Sequence, residues 1–271
     1  MGHFYSLEDD GVIKPRHFTS YAKPRIVNGR EVLRASTVGD LRKWLKNGEK
    51  CAASVTTILD VLAKPALVNW QIDRHLEQVY DKGVDLLKQD SFDSFKKEVK
   101  RLAQEQMDKA PKAGTDFHNS MDLCVQNILD EDVGHYDLCQ KVINLIEDKA
   151  EITYGKRWRP EVNIFSELGY AGQADLILEG EAETWIIDYK TKETAAKFKP
   201  KKMHYDNHAQ QLAAYGFDVD TKFRAANIFV CLETGELDWH EWKQEDLTRG
   251  FEVFMSCLNI YYIINKLYKE R

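Results

Sequence analysis

Long apolar runs, internal repeats and linkers are all missing from this sequence. No stretch is apolar for long enough to span a membrane, and the first residues, with Glu8, Asp9 and Asp10, lack a secretory pattern. No segment is rich enough in Gly or Ser to separate two domains. The 271 residues are therefore expected to form one large cytoplasmic domain with a small appendage, away from membranes.

Cysteine is scarce, and positive charge is not in excess. The five cysteines are dispersed, odd in number and without a C-x-x-C pair, which favours reduced core residues over disulfides or metal ligands. The formal net charge is −6, which does not favour a protein that coats nucleic acid non-specifically. Any contact with nucleic acid is therefore expected to be confined to a groove.

Apolar spacing predicts helices in the first half of the chain and strands in the second. Residues 1–24 are polar and are expected to be irregular, and Asn28-Gly29 then predicts a β-hairpin. Helices are predicted to begin near positions 54, 65, 91, 114 and 135, and a long helix is predicted at the C-terminus. Strands are predicted at 160–168, 174–178, 184–189 and 225–232. This order predicts an α/β fold with a central mixed β-sheet flanked by helices and with an N-terminal helical region.

Two of the predicted strands each contain one aspartate, Asp175 and Asp188. Asp188 and Lys190 share one face at the end of an apolar strand, and buried charges there require partners. A divalent cation held by both aspartates, with Lys190 orienting a water molecule, would meet this requirement. The spacing alone is equally consistent with a structural salt bridge.

Four motifs follow one another along the chain. They are Gly114-Thr115-x-x-His118, Gly172-x-x-Asp175, Asp188-Tyr189-Lys190-Thr191 and Gln211-x-x-x-Tyr215. Their order resembles that of the PD-(D/E)xK nuclease superfamily in its RecB-type exonuclease branch. The resemblance runs from about residue 54 to residue 215. Within the branch it is strongest to mitochondrial genome maintenance exonucleases and phage-type exonucleases, which share segments similar to 54–59 and 205–207.

The resemblance implies a restriction-endonuclease-like nuclease domain over residues 49–271, with a helical part at 54–150 and a catalytic core at 151–271. Residues 1–48 are then an N-terminal extension that contains the hairpin. The implied activity is that of a metal-dependent DNA exonuclease that acts on a strand end and prefers single-stranded DNA. Mg²⁺ or Mn²⁺ is the implied cofactor, and DNA replication or recombination proteins are the implied protein partners.

Other activities fit parts of the same pattern. A structure-specific or flap endonuclease shares the implied core, and a DNA-end-binding subunit without catalysis is the alternative outside the enzymes. A scaffold with an incidental Asp-x-Lys would leave the ordered motifs unexplained. Some RecB-type nucleases carry a cysteine-bound iron–sulfur cluster, and the cysteines of this chain are not arranged to hold one.

The resemblance assigns the metal ligands residue by residue. Asp175 and Asp188 are the implied carboxylate ligands, with the ring of His118 and the backbone carbonyl of Tyr189 as further ligands. Lys190 is implied to orient the attacking water or to stabilise charge in the transition state. A histidine on a helix flank is also typical of a core residue, so His118 has a structural alternative.

Three further residues are implied at the catalytic site. Glu167 corresponds to an acidic residue that holds a second metal through water, and pairing with a lysine on an edge strand is its alternative. Gln211 and Tyr215 are implied to position the metal-bound water and a phosphate. A polar pair that closes the end of the sheet is an equally good interpretation of these two.

Contacts with DNA are predicted on both sides of the catalytic motifs. A basic loop follows the second aspartate strand and contains Lys192, Lys197, Lys199, Lys201 and Lys202. Phe198 and Tyr205 are expected to stack on unpaired bases. By resemblance, Ser54, Thr56 and Trp70 lie near the bound strand, although a helix cap at Ser54 and a core position for Trp70 explain them equally well.

Overall fold

The computed structural model describes residues 2–268 except 63–64, 87, 90, 108, 129–133, 152–156, 181–182 and 221. Its helices are α1 (Val38–Lys46), α2 (Val55–Leu59), α3 (Pro65–Leu86), α4 (Phe92–Met107), α5 (Lys109–Val125), α6 (Tyr136–Lys149), α7 (Asp206–Val219) and α8 (Gln244–Ile264). Its strands are β1 (Phe4–Leu7), β2 (Ile13–Pro15), β3 (Phe18–Ser20), β4 (Ile26–Val27), β5 (Arg30–Glu31), β6 (Leu33–Ala35), β7 (Cys51–Ser54), β8 (Arg157–Phe165), β9 (Tyr170–Glu179), β10 (Thr184–Lys192), β11 (Phe223–Cys231) and β12 (Leu237–Trp242).

A mixed sheet of eight strands forms the centre of the described part of the chain. Its order is β12-β11-β10-β9-β7-β1-β2, and β8 also pairs with β9. Strands β10 and β11 are parallel, whereas β9 and β10 are antiparallel. Side chains of α7 and α8, such as Leu212 and Phe254, pack on one face, and Phe117 of α5 and Val142 of α6 pack on the other. The predicted α/β architecture is confirmed.

The N-terminal segment takes part in this sheet. Phe4 is fully buried, and β1 pairs with both β2 and β7. The expectation of an irregular lead-in is therefore wrong for these residues, because four residues are too few to show the alternation that marks a strand. The hairpin at Asn28-Gly29 is confirmed, and both residues have the positive φ of a tight turn, 51° and 74°.

Three helix starts show how local chemistry sets the boundaries. The predicted cap at Ser54 is confirmed, since its hydroxyl accepts a hydrogen bond from the N–H of Thr57. Helix α1 was not predicted, although Thr37 and Asp40 form a complete capping box at its start. Helix α5 begins at Lys109, earlier than predicted, because Pro111 lies in the first turn, where its missing N–H costs no hydrogen bond.

The cysteines lie where the sequence analysis places them. All five cysteines are buried and unpaired, as predicted for core residues. Within the described residues, we find no helix that combines the length and the apolar character needed to cross a bilayer.

Close packing of α7 on the sheet predicts the effect of one glycine substitution. A Cβ at Gly216 would meet the ring of Phe223, so we expect Gly216→Ala to lower the free energy of unfolding by about 1–3 kcal/mol. Gly83 lies in α3 with nothing within 4 Å of an added Cβ. Gly83→Ala is therefore the matched control, and it should raise the unfolding free energy by up to about 1 kcal/mol. Urea unfolding of both variants measures the difference, and shifts of the same sign would contradict the packing.

Candidate metal-binding active site

The site lies where strands β9 and β10 stop pairing. Their ladder runs from Thr184 opposite Glu179 to Ile187 opposite Leu176. The next residues in register would be Asp188 and Asp175, which therefore lie across from each other at the end of the ladder. We call this place the strand opening.

A side chain replaces the ladder at the strand opening. The backbone N–H of Tyr189 donates to Asp175 Oδ2 at 2.7 Å, so Asp175 satisfies a buried backbone donor that β9 no longer reaches. The ring of Tyr189 points to the α5 face, where it contacts Phe117 and His118 edge-on. His118 thus approaches from α5, while Asp188 and Lys190 point to the α7 face.

Strand register places five polar residues in one line across the sheet. Glu161 lies opposite Asp175, because the residues on either side of it pair with β9 in constant register. Asp188 pairs with Asn227, and Asn227 pairs with His240 on β12. We call this line, which runs from β8 to β12, the polar row.

Glu161 is the site residue that sequence analysis missed. Its φ of 49° is unusual for a non-glycine residue and indicates local strain of the kind that clusters at functional sites. Among the described residues, the potential ligand atoms of His118, Glu161 and Asp175 lie within 4.8 Å of one another. Glu167, predicted for the acidic role, lies exposed in the turn between β8 and β9. The strand register that places Glu161 opposite Asp175 is not displayed by the sequence.

Asp188 is held by three side chains. Lys190 Nζ lies 2.8 Å from its Oδ1 and 2.7 Å from its Oδ2. Gln211 Nε2 donates to Oδ1 at 3.0 Å, and Asn227 Nδ2 donates to Oδ2 at 2.7 Å. Gln211 Oε1 also lies 3.5 Å from Lys190 Nζ, so the predicted third motif meets the second one here.

Burial and mutual repulsion dominate the electrostatics. Burial opposes ionisation of Asp175, but the charges of His118 and Lys190 hold its pKa below the ordinary value. Burial raises the pKa of Asp188; Lys190 only partly offsets this, and the Asp175 charge adds to it. Burial and Asp175 raise the pKa of Glu161 to about 7. Burial lowers the pKa of Lys190, but the two aspartates raise it above its usual value.

This charge balance tests whether a cation fits. The site has three carboxyl groups, from Glu161, Asp175 and Asp188, but only two basic side chains, those of His118 and Lys190. Ionisation of all three carboxyl groups at once is therefore unfavourable. Carboxylate oxygens are ligands for hard divalent cations, and an imidazole ligand favours Mn²⁺ over Mg²⁺. The residues present therefore fit a divalent metal.

Two glycines bring the motifs into contact. A Cβ at Gly172 would lie 2.6 Å from the ring of Tyr215, and a Cβ at Gly114 would lie 3.0 Å from Thr191 Oγ1. The first contact seats Tyr215 of α7 on β9, and the second seats the start of the His118 motif on the end of β10. Glycine at these two positions therefore permits the close approach of the elements that hold the site.

The predicted DNA contacts occupy different environments. Phe198 is only 7% exposed and packs on Met203 and Phe229, so the prediction that it stacks on bases is not supported in this conformation. Tyr205 is 50% exposed. The loop lysines Lys197, Lys199, Lys201 and Lys202 are exposed, and Lys192 is half-buried.

The contacts predicted before the catalytic motifs also differ from one another. Ser54, the N-cap residue of α2, is buried, whereas Thr56 in the first turn of α2 is exposed. The side chain of Trp70 lies outside the described residues.

Comparison with known proteins gives one family match. The family model of the PD-(D/E)XK nuclease superfamily matches residues 76–230, which is more than half of the chain and includes the site from His118 to Tyr215. No curated protein matches the chain.

Two solved structures show a distant likeness. A candidate exonuclease from Eubacterium rectale is 14% identical, with a TM-score of 0.37 over 59% of this chain and 69% of that one. The protein SSO0001 is 13% identical, with a TM-score of 0.27 over 54% of this chain and 71% of that one. The family assignment follows from the match of the family model: the chain belongs to the PD-(D/E)XK nuclease superfamily.

Proposed function

We propose that this chain is a divalent-metal-dependent DNA exonuclease that hydrolyses phosphodiester bonds from a strand end and prefers single-stranded DNA. The observation that carries the proposal is the strand opening, where Asp175, Asp188 and Lys190 meet His118 and Glu161. The order of the four motifs, which resembles the RecB-type branch, supports action on a strand end.

The metal would be held by His118, Glu161 and Asp175, whose ligand atoms cluster, and by Asp188, which lies across from Asp175. We assign to Glu161 the acidic role that the sequence predicted for Glu167, because Glu161 lies in the polar row opposite Asp175. When bound, Mg²⁺ or Mn²⁺ would neutralise charge on the scissile phosphate and make a bound water more acidic.

Lys190 is the group placed to act on the reacting atoms. Its ammonium is fixed by both oxygens of Asp188 and by Gln211, so its position does not depend on substrate. Its raised pKa keeps it charged, and it can donate hydrogen bonds to the attacking water and to a phosphate oxygen. Gln211 thus helps to fix the Lys190–Asp188 pair in position by contacting both side chains.

Tyr215 supplies a second donor. Its ring is buried against Gly172, and burial together with Asp188 raises the pKa of its hydroxyl well above the ordinary value. The phenol therefore stays protonated and can donate to a phosphate oxygen without adding negative charge.

Single-strand preference is supported by the segment after β10. Its exposed lysines offer phosphate contacts, and the half-exposed ring of Tyr205 offers a surface on which an unpaired base can stack. A duplex would present only its backbone to such a ring.

Removal of Lys190 should affect the chemical step. We expect Lys190→Ala to lower kcat by about 100-fold or more and to leave KM near its wild-type value, because the ammonium acts on charge that develops in the transition state. Steady-state digestion of a labelled single strand measures both constants. Lys243→Ala, an exposed lysine before α8, is the control. A rise in KM at unchanged kcat would assign Lys190 to substrate binding alone.

The end requirement can be read from substrate topology. We expect a linear single strand to be degraded with Mg²⁺ and faster with Mn²⁺, and neither a circular strand nor a chelated reaction to show products. Gel analysis of strands labelled at either end also gives the polarity of digestion. Equal cleavage of the circle would replace the exonuclease with an endonuclease on the same site, and no cleavage with either metal would leave a DNA-binding protein.

The two glutamates make different predictions for metal binding. We expect Glu161→Gln to weaken Mn²⁺ binding by at least about 10-fold, because the negative charge of one carboxylate ligand is removed, whereas Glu167→Gln should bind as the wild type does. Calorimetric titration of the DNA-free variants measures both constants. Weakened binding in Glu167→Gln alone would return the acidic role to Glu167.

A further inference from the structure

We infer that Asn227 and Trp242 are positioning residues that fix the orientation of the Asp188 carboxylate through a buried hydrogen-bond relay. The inference rests on the proposed function, since it assigns the relay to the same active site. Neither residue belongs to the four motifs, and they come from strands β11 and β12, which the motifs do not include.

The relay is a chain of two short hydrogen bonds. Trp242 Nε1 donates to Asn227 Oδ1 at 2.7 Å, and Asn227 Nδ2 donates to Asp188 Oδ2 at 2.7 Å. Asn227 is fully buried and Trp242 is 8% exposed, so water does not compete for these bonds. The ring of His240 meets Trp242 edge-on at 4.4 Å and helps to fix the indole on the edge strand.

The chemistry of the three groups allows one arrangement only. An indole N–H can only donate, and an ionised carboxylate can only accept. The amide between them must therefore turn its oxygen to Trp242 and its nitrogen to Asp188. Trp242 and Asp188 thus favour the same orientation of the amide, and Trp242 fixes the position from which the donor reaches the carboxylate.

The relay separates the roles of the two carboxylate oxygens. Asn227, on the strand next to the edge strand, donates to Oδ2 and also lies 3.5 Å from the backbone oxygen of Asp188, whereas Gln211 donates to Oδ1 from α7. Lys190 contacts both oxygens and therefore does not distinguish them. The sheet, through Asn227, fixes which of the two oxygens faces β11.

Trp242→Phe tests the relay because it retains a ring and removes only the donor. Asn227 Oδ1 then becomes a buried acceptor without a partner, and the amide loses the bond that fixes its position against Asp188. We expect kcat to fall by about 10- to 100-fold at unchanged KM for DNA, and the Mn²⁺ dissociation constant of the DNA-free protein to rise by a similar factor. Trp239→Phe is the matched control, since Trp239 lies on the same strand and packs on Trp185.

A double-mutant cycle distinguishes a relay from two separate structural effects. Asn227→Leu should weaken Mn²⁺ binding, and adding Trp242→Phe to it should cause no further loss, because the second bond acts only through the first. Additive losses, wild-type Mn²⁺ affinity in Trp242→Phe, or an equal loss in Trp239→Phe would each overturn the inference.

A measurement on the metal-free protein keeps the relay testable apart from nuclease activity. The indole N–H resonance of Trp242, identified by its loss in Trp242→Phe, should exchange slowly with solvent in the wild type and should shift in Asn227→Leu. Rapid exchange, or an unchanged shift in folded Asn227→Leu, would overturn the relay even if the protein degrades DNA. A protected resonance in a protein that cleaves no DNA would instead retain the relay and refute the proposed exonuclease.

Discussion

Two antiparallel strands that part next to the buried Asp188 and the half-buried Asp175 set the conditions for the whole site. Where β9 and β10 separate, the backbone N–H of Tyr189 loses the partner that a continuous ladder would supply, and two carboxylates lie beside it. Asp175 satisfies the backbone donor, and Asp188 takes Lys190 as its counter-ion. The rest of the site, from His118 on α5 to Gln211 on α7, is arranged around these two interactions.

Burying several acidic groups at one place lowers the stability of the fold but suits the place to a cation. Burial without full compensation raises the pKa of both Asp188 and Glu161, so part of the carboxyl set resists ionisation in the absence of a cation. The same shortage of positive charge suits the site to a divalent metal. Lys190 and His118 reduce the free-energy cost of burying ionised carboxylates but do not remove it. A bound cation would offset the remainder.

The sequence predicts the parts of the molecule that depend on local pattern. Alternation and helical periodicity predicted the α/β sheet, the Ser54 cap and the Asn28-Gly29 hairpin, and four motifs predicted the family. The sequence did not predict the strand register or the pairing of distant segments. The choice between Glu161 and Glu167 depends on which residue faces Asp175 across two strands, and spacing along the chain does not reveal that.

The missed strand and the missed relay have the same origin. The four residues of β1 carry too little alternation to indicate a strand, and their burial is decided by β7, more than 40 residues away. Asn227 lies in a strand that reads as an ordinary apolar run with one amide, and nothing nearby marks Trp242 as its partner. Hydrogen bonds between distant residues of common types leave no local signal.

The in-register polar row also constrains how such a chain can diverge. Because side chains alternate along a strand, inserting or deleting one residue within any of the strands from β8 to β12 would turn that strand's member of the row to the opposite face. Changes of length are therefore tolerable in the turns but not in these strands. Descendants of this chain would be expected to vary in loop length while the strand segments stay constant in length.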